Sequence, residues 1–122
     1  SPLTPRYGDW AYMKDRGTIN RIWDNIPDGI DVLATHGPPY GVLDATYDHH
    51  NKVELVGCSA LRKRVAKVPP RFMLFGHVHS TDDIRNAGTR TVNGLPTVFS
   101  NGSCADDGRM TALTSNGNIL EI

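Results

Sequence analysis

FMLFGHVHS, residues 72–80, sets four apolar residues against a glycine and then two histidines one position apart. Preceded by Pro69-Pro70, the segment RFMLF over 71–75 reads as a short buried strand. DVLATHGPP, residues 31–39, repeats the arrangement, because an apolar, β-branched run stops at His36-Gly37. IDVLAT, 30–35, therefore reads as a second buried strand. In open α/β sheets, ligands gather just beyond the carboxyl ends of the strands. If the two strands are parallel, His36, His77 and His79 emerge at one edge of the sheet. In an extended segment, residues i and i+2 point the same way, so His77 and His79 can face one site together. Gly37 and Gly76 let the backbone turn or approach closely there. Imidazole is a common ligand for divalent transition metals.

The surrounding chain favours the parallel arrangement. Thr18 is placed as a helix N-cap, and Ile19, Ile22, Trp23 and Ile26 follow on one helical face until Pro27 and Gly29 end the helix. A second helix is expected over 53–67, with Cys58, Leu61, Val65 and Val68 at helical spacing and Arg64 and Lys67 near its C-terminal end. Helix, strand, loop, helix, strand is an α/β alternation, which favours parallel strands joined by a crossover helix. Residues 1–17 read as loop, and 37–52 as one long polar loop. After residue 80, TRTV, PTVFS, RMTALT and NILEI read as hairpin strands, with TSNGN the clearest turn.

Bulk properties narrow the function classes. A chain of 122 residues suits one domain able to hide roughly two-thirds of its unfolded surface. Thirteen basic and thirteen acidic residues balance, and the pI is near 6.9, so no strong nucleic-acid or membrane surface is implied. No apolar run approaches the roughly 20 residues that cross a bilayer. Cys58 and Cys104 are too few for a disulfide framework, and a reduced, cytoplasmic chain is the simpler reading. The chain opens at Ser1 rather than Met, and it reads as starting partway into a longer product.

THGPP and FGHVH look like the last two sequence blocks of the calcineurin-like metallophosphoesterase superfamily. With WAY, the GC before a helix, and SNGS in the same order, the chain most resembles the C-terminal half of the subgroup containing the 239FB-type, MPPED-like phosphodiesterases. The resemblance implies an α/β fold, the C-terminal half of an αββα sandwich with mixed sheets and C-terminal β-hairpins, residues 1–122 forming a single partial domain. It implies hydrolysis of a phosphodiester or phosphomonoester at a dinuclear site of Mn, Fe or Zn, with His36 and His77 as ligands of one metal and His79 of the other. Gly37, Asp44 and His50 are candidate substrate contacts; Asp44 reads first as a turn residue, and His49-His50 first as solvated loop residues.

The same resemblance exposes a gap. The superfamily opens its site with Asp-x-His, Gly-Asp and Gly-Asn-His blocks, which supply the bridging carboxylate, an asparagine ligand and an acid histidine. They do not occur here in order. Gly8-Asp9 has no strand before it, and Asp106 and Asp107 read as turn residues. No catalytic residue is therefore assigned within this chain. The expected partners are a phosphoester or nucleotide, and a missing N-terminal half or an oligomeric partner that covers an open sheet edge. Two alternatives are a truncated, non-catalytic scaffold acting as a binding module, and a mononuclear zinc site with three histidines.

Overall fold

A computed structural model of the protein describes residues 13–105 and 112–121. The elements run α1 (Asn20–Trp23), β1 (Val32–Ala34), β2 (Ala45–Tyr47), β3 (Val53–Leu55), α2 (Ser59–Lys67), β4 (Phe72–Phe75), β5 (Gly88–Thr91) and β6 (Val98–Asn101). β1, β4, β6 and β5 form a four-stranded mixed sheet in that order. β4 pairs in parallel with both β1 and β6, while β5 pairs antiparallel with β6. The parallel β1–β4 pair and the intervening α2 match the α/β alternation expected from the sequence.

β4 is the central strand, and its near-continuous apolar sequence follows from burial on both faces: Phe72, Met73 and Phe75 are buried and Leu74 half-buried. Side chains alternate across a strand, so Met73 and Phe75 share a face. That face carries the main core, where Met73, Phe75 and Phe99 pack with Ile19, Trp23 and Ile26 and with Leu61, Val65 and Val68. The indole Nε1–H of Trp23 donates to Cys58 Sγ at 3.3 Å, which joins the two helical segments inside the core. Both described cysteines are free thiols.

Several expectations are corrected. The first helix is a single turn, and Thr18 does not cap it; the Thr18 hydroxyl donates to the Asp15 carbonyl, and Ile19 occupies the N-cap. The loop 37–52 and the start of the helix expected from residue 53 instead contain a β-hairpin, in which Ala45, Thr46 and Tyr47 pair with Leu55, Glu54 and Val53. Val53-Glu54-Leu55 has both a helical and a strand period within reach, and cross-strand pairing decides for the strand. α2 accordingly begins at Ser59, after Cys58 as N-cap.

Among the described strands β1 lies at an edge and is not fully buried, with Val32 39% exposed and Ala34 also exposed, while Leu33 packs against the core. β5 and β6 form the first of the expected hairpins. The second is not seen: described residues 112–121 contain only the isolated bridge of Leu113 to Ala105. Among the described residues the four-stranded sheet carries both helical segments in its core, and β2 and β3 form a separate two-stranded sheet. The loop reading of residues 1–12 and the candidate pairs Gly8-Asp9 and Asp106-Asp107 lie outside the described residues.

Candidate metal centre

The parallel register of β1 and β4 builds the site. Ala34 lies opposite Leu74, and the ladder continues past both strand ends: Thr35 N–H donates to Leu74 O at 2.9 Å, and Gly76 N–H donates to His36 O at 3.0 Å. His36 is thus opposite Gly76, with His77 one residue further along. Their ring centroids are 4.6 Å apart and tilted by 43°. Beyond His36, the Gly37-Pro38-Pro39 turn is pinned to the start of α2, where Cys58 N–H donates to Pro38 O and Tyr40 N–H to Cys58 O.

The GHVH segment is not extended, so the expected alternation of His77 and His79 along a strand does not apply. His77 has φ +74°, and Val78 N–H donates to Gly76 O at 2.9 Å. That is a γ-turn of the rare, strained hand. Holding a non-glycine residue there costs on the order of 1–3 kcal/mol. The turn swings the His77 ring toward His36 instead of down a strand face. Although His77 is an exposed residue, the adjoining protein removes part of the ring's hydration. That burial, followed by the charges that His36 and His79 can carry, lowers its pKa below the ordinary value near 6.5.

His79 is oriented differently. Its Nδ1 lies 3.1 Å from the Ala105 carbonyl, and a carbonyl can only accept, so Nδ1 carries the proton in this contact. In the neutral ring, Nε2 then keeps its lone pair, which is the second-shell arrangement that fixes the tautomer of metal-binding histidines.

Two buried asparagines, not singled out as site residues from the sequence, hold this segment from behind. Asn101, fully buried, donates from Nδ2 to Val78 O at 2.9 Å and to Leu43 O at 3.3 Å, and its Oδ1 accepts from Ser103 N–H at 2.9 Å. Asn86, 1% exposed, donates from Nδ2 to His79 O at 2.7 Å and to Ala45 O at 2.8 Å, and its Oδ1 accepts from Ala45 N–H. Asn101 falls within SNGS, which was visible as part of a family pattern; Asn86 belongs to no motif, and only the folded chain brings it to His79.

The candidate substrate contacts separate. Gly37 adjoins the histidine pair, and its carbonyl accepts from Thr35 Oγ1 at 2.8 Å. Asp44 is 2% exposed, and its Oδ2 accepts from the backbone N–H groups of Gly41 and Gly57, both at 2.9 Å. Its carboxylate is therefore the holder of a buried turn. Gly57 makes room for it, since a Cβ there would fall 2.6 Å from both Asp44 Oδ2 and Pro39 O. His50 is exposed in the β2–β3 turn, its ring centroid 3.9 Å from that of His49 and tilted by 44°, with its backbone N–H donating to Asp48.

Imidazole is a donor type that suits divalent transition metals. Three imidazoles follow the two strand ends, His36 and His77 in ring contact and His79 bonded through Nδ1 to the Ala105 carbonyl. Among the described residues, no group of three or more His, Cys, Asp or Glu side chains is placed so that it could hold a metal ion, and the Asp44 carboxylate is engaged by the Gly41 and Gly57 N–H groups.

Comparison with known proteins finds related chains. Metallophosphoesterase domain-containing protein 1 of Homo sapiens is 39% identical over 93 residues, covering 75% of this chain, and the Mus musculus protein of the same name matches equally. A UPF0046 protein of Caenorhabditis elegans is 38% identical over 81 residues, 65% of this chain. The chain spans 28%, 28% and 19% of these three proteins. No established family profile and no solved structure matches the chain. A match covering 75% of 122 residues must include residues 36–79, and so all three site histidines. Over that shared stretch the chain is related to the metallophosphoesterase-domain proteins.

Proposed function

We propose that this chain supplies the C-terminal histidine ligands of a metal-dependent phosphoesterase acting on a phosphodiester or phosphomonoester, including nucleotides. The observation that carries the reading is the contact between the His36 and His77 rings, in a chain related to metallophosphoesterase-domain proteins. In this reading His36 and His77 hold one divalent ion and His79 the other, through neutral nitrogens that add affinity without cancelling the cationic charge. Two such ions, of Mn, Fe or Zn, supply when bound the positive charge that binds phosphoryl oxygens and lowers the pKa of water. The chain's own part is to fix the three rings at one sheet edge and, at Gly37, to keep the approach to them free of a side chain.

A bridging carboxylate comes, in this proposal, from a complementary segment, either elsewhere in a longer parent chain or from an oligomeric partner. The exposed edge strand β1 and the small share of each relative that the chain spans support that reading. Residues 1–122 are then the C-terminal part of one phosphoesterase domain, completed as a sandwich by that segment. Two free thiols fit a reducing compartment, and the cytoplasm is the location we propose. Among the described residues no helix is long and apolar enough to cross a membrane.

Turnover of a chromogenic phosphodiester with added manganese tests the proposal, on the chain and on the chain with its complementary segment. Activity lost in His77→Ala supports it. The second reading, a binding module built on this scaffold, is favoured by the lack of a convergent carboxylate among the described residues. Metal-independent binding of a nucleotide with no turnover in either preparation would establish it instead.

A further inference from the structure

We propose that Asn86 and Asn101 are positioning residues that set the spacing of the site histidines by clamping the GHVH segment onto residues 43–45. The inference rests on the metal-binding reading above. Both side chains are fully or almost fully buried, and both use their amide completely. Each directs its two Nδ2 hydrogens at a pair of backbone carbonyls, one from each segment: Val78 and Leu43 for Asn101, His79 and Ala45 for Asn86.

The placement matches where the backbone resists its own conformation. Leu43 has φ +54° and His77 has φ +74°, left-handed values that side chains disfavour. Asn101 joins the carbonyl of the first to the carbonyl just after the second. Asn86 holds the carbonyl of His79 itself, whose ring the Ala105 carbonyl orients. The Oδ1 atoms are occupied as well, by Ser103 N–H and Ala45 N–H, so neither amide can flip without losing three partners. Asn101 is also the last residue of β6, opposite Phe75 in the register, which makes the sheet the rigid base of the clamp.

The test is cobalt(II) titration of the chain, followed by visible absorption and by calorimetry, in four variants. Asn101→Asp and Asn86→Asp keep the side-chain shape but turn a donor pair into an acceptor that faces two carbonyls. His77→Ala removes a ligand. Val65→Ala, in α2, lowers stability through the core alone. Affinities are compared for the folded fraction, fixed by urea denaturation in the same buffer. The proposal expects cobalt affinity to fall at least tenfold and the absorption band to shift in each Asp variant, while Val65→Ala stays within twofold. Asn86→Ala, which deletes the donors without reversing them, carries the same comparison if an Asp variant does not fold. Asparagine variants that bind cobalt as Val65→Ala does would overturn the clamp and leave the metal reading standing. No cobalt binding by the unaltered chain, or binding indifferent to His77→Ala, would overturn the metal reading and the clamp with it.

Discussion

The His36 and His77 rings touch at a centroid separation of 4.6 Å although they follow different strands, because β1 and β4 run parallel in a register that sets His36 opposite Gly76. The consequence for metal binding is specific. If both rings serve one ion, replacing either by Ala costs at least the roughly 10- to 100-fold in affinity that losing a supporting partner costs. The double variant is then little worse than the poorer single one. His79→Ala instead lowers the number of ions bound by a completed site. Calorimetric titration with zinc or cobalt reads both affinity and stoichiometry, and strictly additive losses for His36 and His77 would contradict a shared ion.

The depressed pKa of His77 makes the metal-free fold acid-sensitive. Folding lowers this pKa, so the unfolded chain binds the proton more readily. The contribution is absent well above pH 6.5, destabilises the fold as pH drops through the ordinary value, and levels off below the folded value. Urea midpoints measured with chelator from pH 8 to pH 5 should fall on the acid side. His77→Asn, which tolerates a left-handed φ, should flatten that fall. An unchanged profile in the variant would assign the acid loss elsewhere.

Gly57 cannot accept a methyl group. A Cβ there meets Asp44 Oδ2 and Pro39 O at 2.6 Å and Pro39 C at 2.7 Å, two of them backbone atoms. Gly57→Ala should cost at least the roughly 1–3 kcal/mol of an overpacked interior, read as a lower urea midpoint at constant slope.

Asp44 should behave as a structural carboxylate. Asp44→Ala strands the buried N–H of Gly57, at about 1–3 kcal/mol for a buried donor left unpaired, while the exposed Gly41 N–H can turn to water. Asp44→Asn keeps an oxygen for them and should lose less. A fully folded Asp44→Ala protein defective only in phosphoester turnover would reverse this assignment. His50→Ala, at an exposed position, should leave stability within about 0.5 kcal/mol and metal affinity unchanged.

Ser103 supplies a contrast. Among the described residues its buried Oγ has no hydrogen-bond partner. Ser103→Ala removes an unsatisfied hydroxyl, so stability should stay level or rise, as thermal unfolding would show. A loss above about 1 kcal/mol, the typical worth of a hydrogen bond, would reveal a partner for the hydroxyl in solution.

The sequence by itself determined that RFMLF holds a buried strand, that a helix before it buries Leu61 and Val65, and that three histidines follow strand ends. Those readings rest on local periodicity and on residue chemistry, which short segments carry without help from the rest of the chain. Only the tertiary structure decided that Val53–Leu55 pairs as a strand, that Asp44 turns inward, and that GHVH is a strained turn. Each depends on partners distant in sequence: Ala45–Tyr47 for the hairpin, Gly57 for the carboxylate, Asn86 and Asn101 for the turn. A hydrogen bond between such partners exists only once the sheet register brings donor to acceptor. The identity of the ligand candidates was therefore legible in the amino-acid order, whereas the spacing that makes them a site belongs to the fold.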